Sequence, residues 1–224
     1  VAPSRGLGDV YKRQTYPYGM VQFTPSYFSK RSGFVINQLS GGGCEHMGNF
    51  PTFPVKGKLK MSPDNILNYR INISEEKGHA GYYEAMVQED IKAKLTVTER
   101  TGMASYEYPA DQQYGTVIIG GGISATPIEQ AAIVITAPNK CEGYAEGGNF
   151  CGLRTPYKVY FVAEFDADAL ESGTWKRDEL KPNTTFAEGE YSGVYFTFDV
   201  SKKKNVQYKI GAVSYTHLTL PTIR

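Results

Sequence analysis

The chain has 224 residues, 41% of them hydrophobic and 21% charged, with a formal net charge of +1. That length fits one large domain or two small ones, and the apolar share excludes a disordered chain. Near-neutral charge leaves no footprint for nucleic acid or an acidic membrane surface, and no run of about 18 apolar residues predicts a membrane span.

Tyrosine (17), phenylalanine (11) and glycine (24) are all frequent, a mixture that favours strands and turns. Both ends look foreign to the rest. Residues 1–14 and 212–224 resemble translated sequencing adapter, of the kind found at the ends of fragmentary metagenomic genes, so the natural sequence is expected over residues 15–211. A basic-then-apolar leader does not open the chain.

In chain order, the first predicted strand is Gly19 to Thr24, where apolar and polar residues alternate. Next comes the densest group of reactive side chains, Ser40-Gly-Gly-Gly-Cys-Glu-His46, followed by Pro51 and Pro54. Consecutive glycines let backbone pass where no side chain fits, and prolines stiffen the exit. The segment is not a phosphate loop, since no Gly-Lys-Ser/Thr follows. Adjacent Cys44, Glu45 and His46 also lack metal-ligand spacing.

A turn at Lys77-Gly78 precedes a strand over residues 80–87. His79 belongs to this solvated turn and reads as a surface residue. Residues 91–99 have period two: Ile91, Ala93, Leu95 and Val97 face one way, with Lys92, Lys94, Thr96 and Thr98 opposite, as in a strand with one wet face. Further strands are predicted over 104–109, 116–120, 131–136, 157–165, 193–198 and 206–210, and a short helix over 167–171. Many strands at short spacing between Gly, Pro and Asn turns predict an all-β antiparallel sandwich. No internal repeat or linker divides it.

Three cysteines leave one unpaired in any single-bridge scheme. Cys141 with Cys151 would close the loop between them, Cys44 with Cys151 would join two glycine-rich segments, and three reduced thiols are the third possibility. Asp166 and Asp168 read as a charged strand end or as calcium ligands. No Ser-His-acid triad can be assembled.

Several collinear segments resemble glycoside hydrolase family 92, calcium-dependent exo-acting α-mannosidases, and in particular its N-terminal domain. Tyr16-Pro-Tyr-Gly-Met-Val-Gln-Phe-Thr-Pro25 is similar to the family's opening motif, with Ser26 where the family has aspartate. Gly33-Phe34 and Leu39-Ser-Gly-Gly-Gly-Cys-Glu-His-Met-Gly-Asn-Phe-Pro51 look like a second, with Asn49 in place of aspartate. Gly81-Tyr-Tyr83, Leu95 to Met103, Gly148 to Gly152, Tyr157 to Asp166 and Ser172 to Trp175 continue the likeness.

The resemblance implies a β-sandwich followed in the intact enzyme by a larger (α/α)₆ helical domain, with the active site between them. It implies inverting hydrolysis by two carboxyls roughly 6.5–9.5 Å apart. Both, together with the calcium ligands, are expected in the helical domain, so no catalytic or metal residue is expected here. The sandwich would supply one wall of the sugar pocket through Gly41, Gly42, Gly43, Cys44 and Glu45. Glycine backbone would approach the sugar hydroxyls, Glu45 would accept a hydrogen bond, and Phe50 or Phe53 would face the ring.

Cys44 stands where members cleaving α-1,2 linkages are expected to carry tryptophan. The expected partners are a mannose-containing glycan and the helical domain in cis, the expected location is secreted or periplasmic, and the isolated fragment should be inactive. A stand-alone carbohydrate-binding module is the alternative, and a structural β domain without sugar affinity is a further one.

Overall fold

The computed structural model describes residues 19–25, 33–37, 47–64 and 72–214. Among these every extended element is a strand, and only residues 63–64 have helical geometry. Two antiparallel sheets form a sandwich, as the alternation and turn spacing predict. The first sheet contains β1 (Thr24–Pro25), β2 (Phe34–Val35), β3 (Thr52–Lys56), β8 (Tyr114–Ile119), β15 (Ser192–Asp199), β12 (Glu171–Lys176) and β13 (Glu179–Pro182), in that spatial order. The second runs β14 (Phe186–Glu188), β9 (Ile128–Ala137), β10 (Lys140–Phe150), β11 (Leu153–Phe165), β16 (Asn205–Ser214), β7 (Thr101–Glu107), β6 (Ile91–Val97), β5 (Tyr82–Val87) and β4 (Ile73–His79).

Strand β6 shows how local pattern becomes packing. Ile91, Ala93, Leu95 and Val97 are buried, and Lys92, Lys94 and Thr96 lie on the other face. Its register pairs Ala93 with both Ala85 of β5 and Tyr106 of β7, so one buried row crosses three strands. The core between the sheets is aromatic. Phe165 sits 4.8 Å from Phe196, 5.0 Å from Phe198 and 5.1 Å from Tyr208, ring centroid to centroid. Such tilted contacts stabilise beyond the apolar area they bury.

Polar groups inside this core are joined across the sheets. Thr52 of β3 donates to the Phe34 carbonyl at 3.3 Å and accepts from the Tyr208 hydroxyl at 2.6 Å. Tyr106 lies 3.1 Å from Thr52 Oγ1 and 3.2 Å from Tyr208 Oη, so its single hydroxyl hydrogen serves one of the two. Burial without partners would cost each of these groups about 1–3 kcal/mol. The triangle removes that cost and fixes how β3 sits over β7 and β16.

Four expectations need correction. Residues 167–171 are not helical: Ala169 N donates to the Pro138 carbonyl and Leu170 N to the Thr197 carbonyl, so neighbouring chain takes the bonds a helix would use. Lys77 and Gly78 lie within β4, and the turn falls at residues 80–81. The segment between Cys141 and Cys151 is not a free loop but most of β10, the partner of both β9 and β11. The Gly19 start condenses to the two residues of β1. At the far end β16 runs through Ala212, Val213 and Ser214, which pair with Phe161, Tyr160 and Val159.

Candidate functional site

Gly41, Gly42, Gly43, Cys44 and Glu45 lie outside the described residues, as does His46. The backbone on either side of them is described, and it is closely tied. Gly48 N donates to the Asn37 carbonyl at 2.7 Å, and Asn49 N to the Asn37 side-chain oxygen at 2.8 Å. One Asn therefore clamps both stems of the segment. Ala125 N donates to the Met47 carbonyl at 2.8 Å, tying the second stem to the turn after β8.

This stem is conformationally unusual. Met47 (φ 62°), Gly48 (φ 78°) and Phe50 (φ 53°) all adopt the left-handed region. For Met and Phe that costs on the order of 1–3 kcal/mol each and persists only where surroundings over-determine it. The surroundings do so at Phe50, whose ring is fully buried 4.2 Å from that of Phe161. Gly33 explains a further constraint: a Cβ there would lie 2.7 Å from Pro51 Cβ, so only glycine lets the two motif segments meet.

Behind the stem sits a polar knot. Asn49 is fully buried, with both side-chain amide atoms lacking a hydrogen bond of normal geometry. Asn49, Ser124 and Thr126 all face Tyr157 and favour its phenolate, yet burial is the larger effect and raises the Tyr157 pKa. Ser124 Oγ donates to the Thr126 carbonyl at 2.6 Å, which holds this turn in shape. Asn49 was noted in the sequence only as standing in place of an aspartate, and Ser124 and Thr126 were not singled out. The signal that could have found them is Asn49 itself, a polar side chain enclosed by Gly48, Phe50 and Pro51 in an otherwise apolar exit.

The hairpin between β10 and β11 carries the cysteine result. Cys151, at φ 52° in its turn, is disulfide-bonded, whereas Cys141 is buried and free. This overturns both the Cys141–Cys151 bridge and the reading of three reduced thiols. Burial, reinforced by Glu142, pushes the Cys141 thiol far above its usual range, so it is an inert core residue. Asn149 accepts from Gly152 N at 3.0 Å and closes the turn beside Cys151.

Two expected roles fail on geometry. Phe50 and Phe53 are 0% and 3% exposed, so neither offers a face to a sugar. Asp166 is a strand-end residue that pairs with Lys203 and accepts from Gln207 N, and Asp168 is solvent-exposed. His79 is a surface residue at the end of β4, its ring 5.3 Å from that of Tyr82.

Among the described residues no group of three or more His, Cys, Asp or Glu could hold a metal ion. The carboxylates with resolved shifts all move down. The hydroxyl of Tyr82 stabilises the charge of Glu84, Arg154 that of Glu129, and Ser201 that of Asp199. A general acid needs the opposite shift. What this arrangement does is tie Asn37 to Gly48 and Asn49, and Met47 to the turn after β8.

An all-β antiparallel sandwich is the class that the fold defines. The sequence pattern of the glycosyl hydrolase family 92 N-terminal domain matches residues 3–213, and the chain belongs to that family. Solved structures agree in fold. A family GH92 α-mannosidase from Bacteroides thetaiotaomicron, in complex with mannoimidazole, superposes with a TM-score of 0.76 at 22% identity, over 92% of this chain and 30% of that one. An inverting GH92 mannosidase from the same organism gives 0.68 at 19%, over 90% and 28%. Another GH92 glycosyl hydrolase gives 0.74 at 18%, over 90% and 30%. The chain thus spans about 30% of the length of these relatives. Among curated proteins none matches.

Proposed function

We propose that this chain is the N-terminal domain of an inverting exo-α-mannosidase, and that it supplies one wall of the pocket for the terminal mannose of a glycan. The observation that carries the reading is the family match over residues 3–213. Gly41, Gly42, Gly43, Cys44 and Glu45 form the wall: backbone amides and carbonyls meet sugar hydroxyls, and the Glu45 carboxylate accepts one hydrogen bond. The clamped stems at Asn37 and Gly48 support that role, because a binding segment held by rigid ends loses less entropy on meeting ligand.

The acid, the base and the calcium ligands belong to the helical domain that follows in the longer protein, so the 224-residue chain alone is inactive. The intact enzyme is secreted or periplasmic. The disulfide at Cys151 supports this placement, since such bonds persist in oxidising compartments.

The test is hydrolysis of an aryl α-mannoside, with calcium present, by a protein extended to the relatives' length. Glu45→Gln in that protein should lower kcat/KM about tenfold or more, the range for loss of a hydrogen bond to a charged group. Absence of turnover by the unaltered extended protein would refute the mannosidase reading. Turnover unaffected by Glu45→Gln would refute the wall. Mannose binding by the 224-residue chain without turnover in either form would favour a binding module.

A further inference from the structure

The stem over residues 47–51 is supported at three points. Ala125 N donates to the Met47 carbonyl at 2.8 Å, Asn49 is fully buried, and the Phe50 ring lies 4.2 Å from that of Phe161. Strand β11 supplies two of these supports. Tyr157 and Phe161 share its inner face, with buried Val159 between them.

The sheet brings Tyr157 up to the turn after β8. Strand β10 places Gly147 between Tyr157 on one side and Ile128 on the other. A Cβ on Gly147 would lie 2.7 Å from the Pro127 carbonyl, so its absence lets that turn come close. The turn reaches the stem as well, because a Cβ on Gly48 would lie 3.3 Å from the Ala125 Cβ. Ser124 and Thr126 flank Ala125, and their side chains face the Tyr157 hydroxyl together with Asn49. Stem, turn and β11 therefore meet at one phenol.

The stem requires such a meeting point. Met47 and Phe50 hold left-handed φ angles of 62° and 53°, which only their surroundings can impose. Phe161 does so at Phe50, and Ala125 at Met47. Between them, the Asn49 amide atoms lack a hydrogen bond of normal geometry, and a phenol can both give and take one.

We propose that Tyr157 is a positioning residue for the sugar-binding segment: its hydroxyl orients Asn49, and Asn49 sets the direction of the stem at Met47. The inference rests on the reading of residues 41–45 as one wall of a mannose pocket. Tyr157 meets no sugar itself and acts through the stem alone.

Amide hydrogen exchange in the 224-residue chain reads the stem directly. The Gly48 and Asn49 amides, both bonded to Asn37, should exchange severalfold faster in Tyr157→Phe than in the parent. The Ala93 and Leu95 amides of β6 should keep their rates. Unchanged exchange at Gly48 and Asn49 would overturn the proposal. So would equal acceleration in β6, which would make Tyr157 a plain structural residue.

Kinetics of the protein extended to the relatives' length, on an aryl α-mannoside, give the second readout. Tyr157→Phe should raise KM about threefold to tenfold and keep kcat within about twofold, because a displaced wall weakens ground-state and transition-state binding alike. A residue that only stabilised the fold would lower the active fraction, and so kcat, and leave KM alone; that result would overturn the proposal. Asn49→Leu should reproduce the rise in KM, and Asn49→Asp should keep the parent's value, since aspartate accepts the Tyr157 hydrogen. A parental KM in Asn49→Leu would likewise count against it. Exchange does not depend on hydrolysis. Faster exchange at the stem in a protein that cleaves no mannoside keeps Tyr157 as the stem's anchor and removes the mannosidase reading, and turnover with an unchanged stem does the opposite.

Discussion

Tyr208→Phe probes the link between the sheets with almost no change of shape. The hydroxyl it removes donates to Thr52 Oγ1 at 2.6 Å and lies 3.2 Å from Tyr106 Oη. Thr52 keeps its bond to the Phe34 carbonyl, and Tyr106 keeps Thr52 as an acceptor at 3.1 Å. No group is orphaned, so the loss is one strong and one shared hydrogen bond, about 1–2 kcal/mol. For a chain of this size that lowers Tm by roughly 2–8 °C. Urea unfolding followed by tyrosine fluorescence measures it directly. A variant as stable as the parent, or more stable, would refute the claim that this triangle fixes the sheets.

The same substitution has a pH signature. Burial holds the Tyr106 phenol up to about 12 and the Tyr208 and Tyr108 phenols well above their ordinary value of 10.0. Above pH 10 the unfolded chain releases these protons while the folded chain retains them, so stability is full below that pH and falls as pH rises beyond it. Tyr208→Phe removes one such proton and should flatten the alkaline fall. An unchanged slope would contradict the linkage.

Three further outcomes follow from contacts. A Cβ on Gly193 would lie 2.3 Å from Trp175 Cη2 and 2.4 Å from the Ile119 carbonyl, so Gly193→Ala should destabilise by roughly 1–3 kcal/mol or more in thermal melts. Cys151 is bonded and Cys141 is free, and Cys44 is the remaining cysteine. A non-reduced digest should therefore yield one linked peptide pair holding Cys44 and Cys151, and reduction should cost about 2–4 kcal/mol. The Lys56–Asp90 pair, 2.7 Å apart but 40% and 42% exposed, should contribute no more than about 1 kcal/mol in a double-mutant cycle.

Strands with one wet face were legible because burial writes a period of two into the residues themselves. Ile91 to Val97 is the clearest case. Strand β10 was hidden because Glu142, Gly143, Gly147, Gly148 and Asn149 are poor strand formers. Its neighbours β9 and β11, paired on both sides, supply what its own sequence lacks. Residues 167–171 suggested a helix by a short, weak helical period, but the backbone bonds from Ala169 and Leu170 reach distant carbonyls that no local pattern announces.

The glycine-rich motif stood out in the sequence, but the residues around it were misjudged. Phe50 and Phe53 sit close in sequence to the glycines and so suggested a sugar platform, yet they face the core. Asn37, which ties both stems, carries no signal of its own, because its role depends on a contact 12 residues away.

The account turns on whether this domain belongs to a mannosidase whose chemistry lies in the part that follows. The most direct measurement compares the 224-residue chain with the protein extended to the relatives' length, on an aryl α-mannoside with calcium, with the released sugar's anomer followed by NMR. The extended protein should release β-mannose first and the shorter chain should release none. Hydrolysis by the 224-residue chain, or none by the extended protein, would contradict the account.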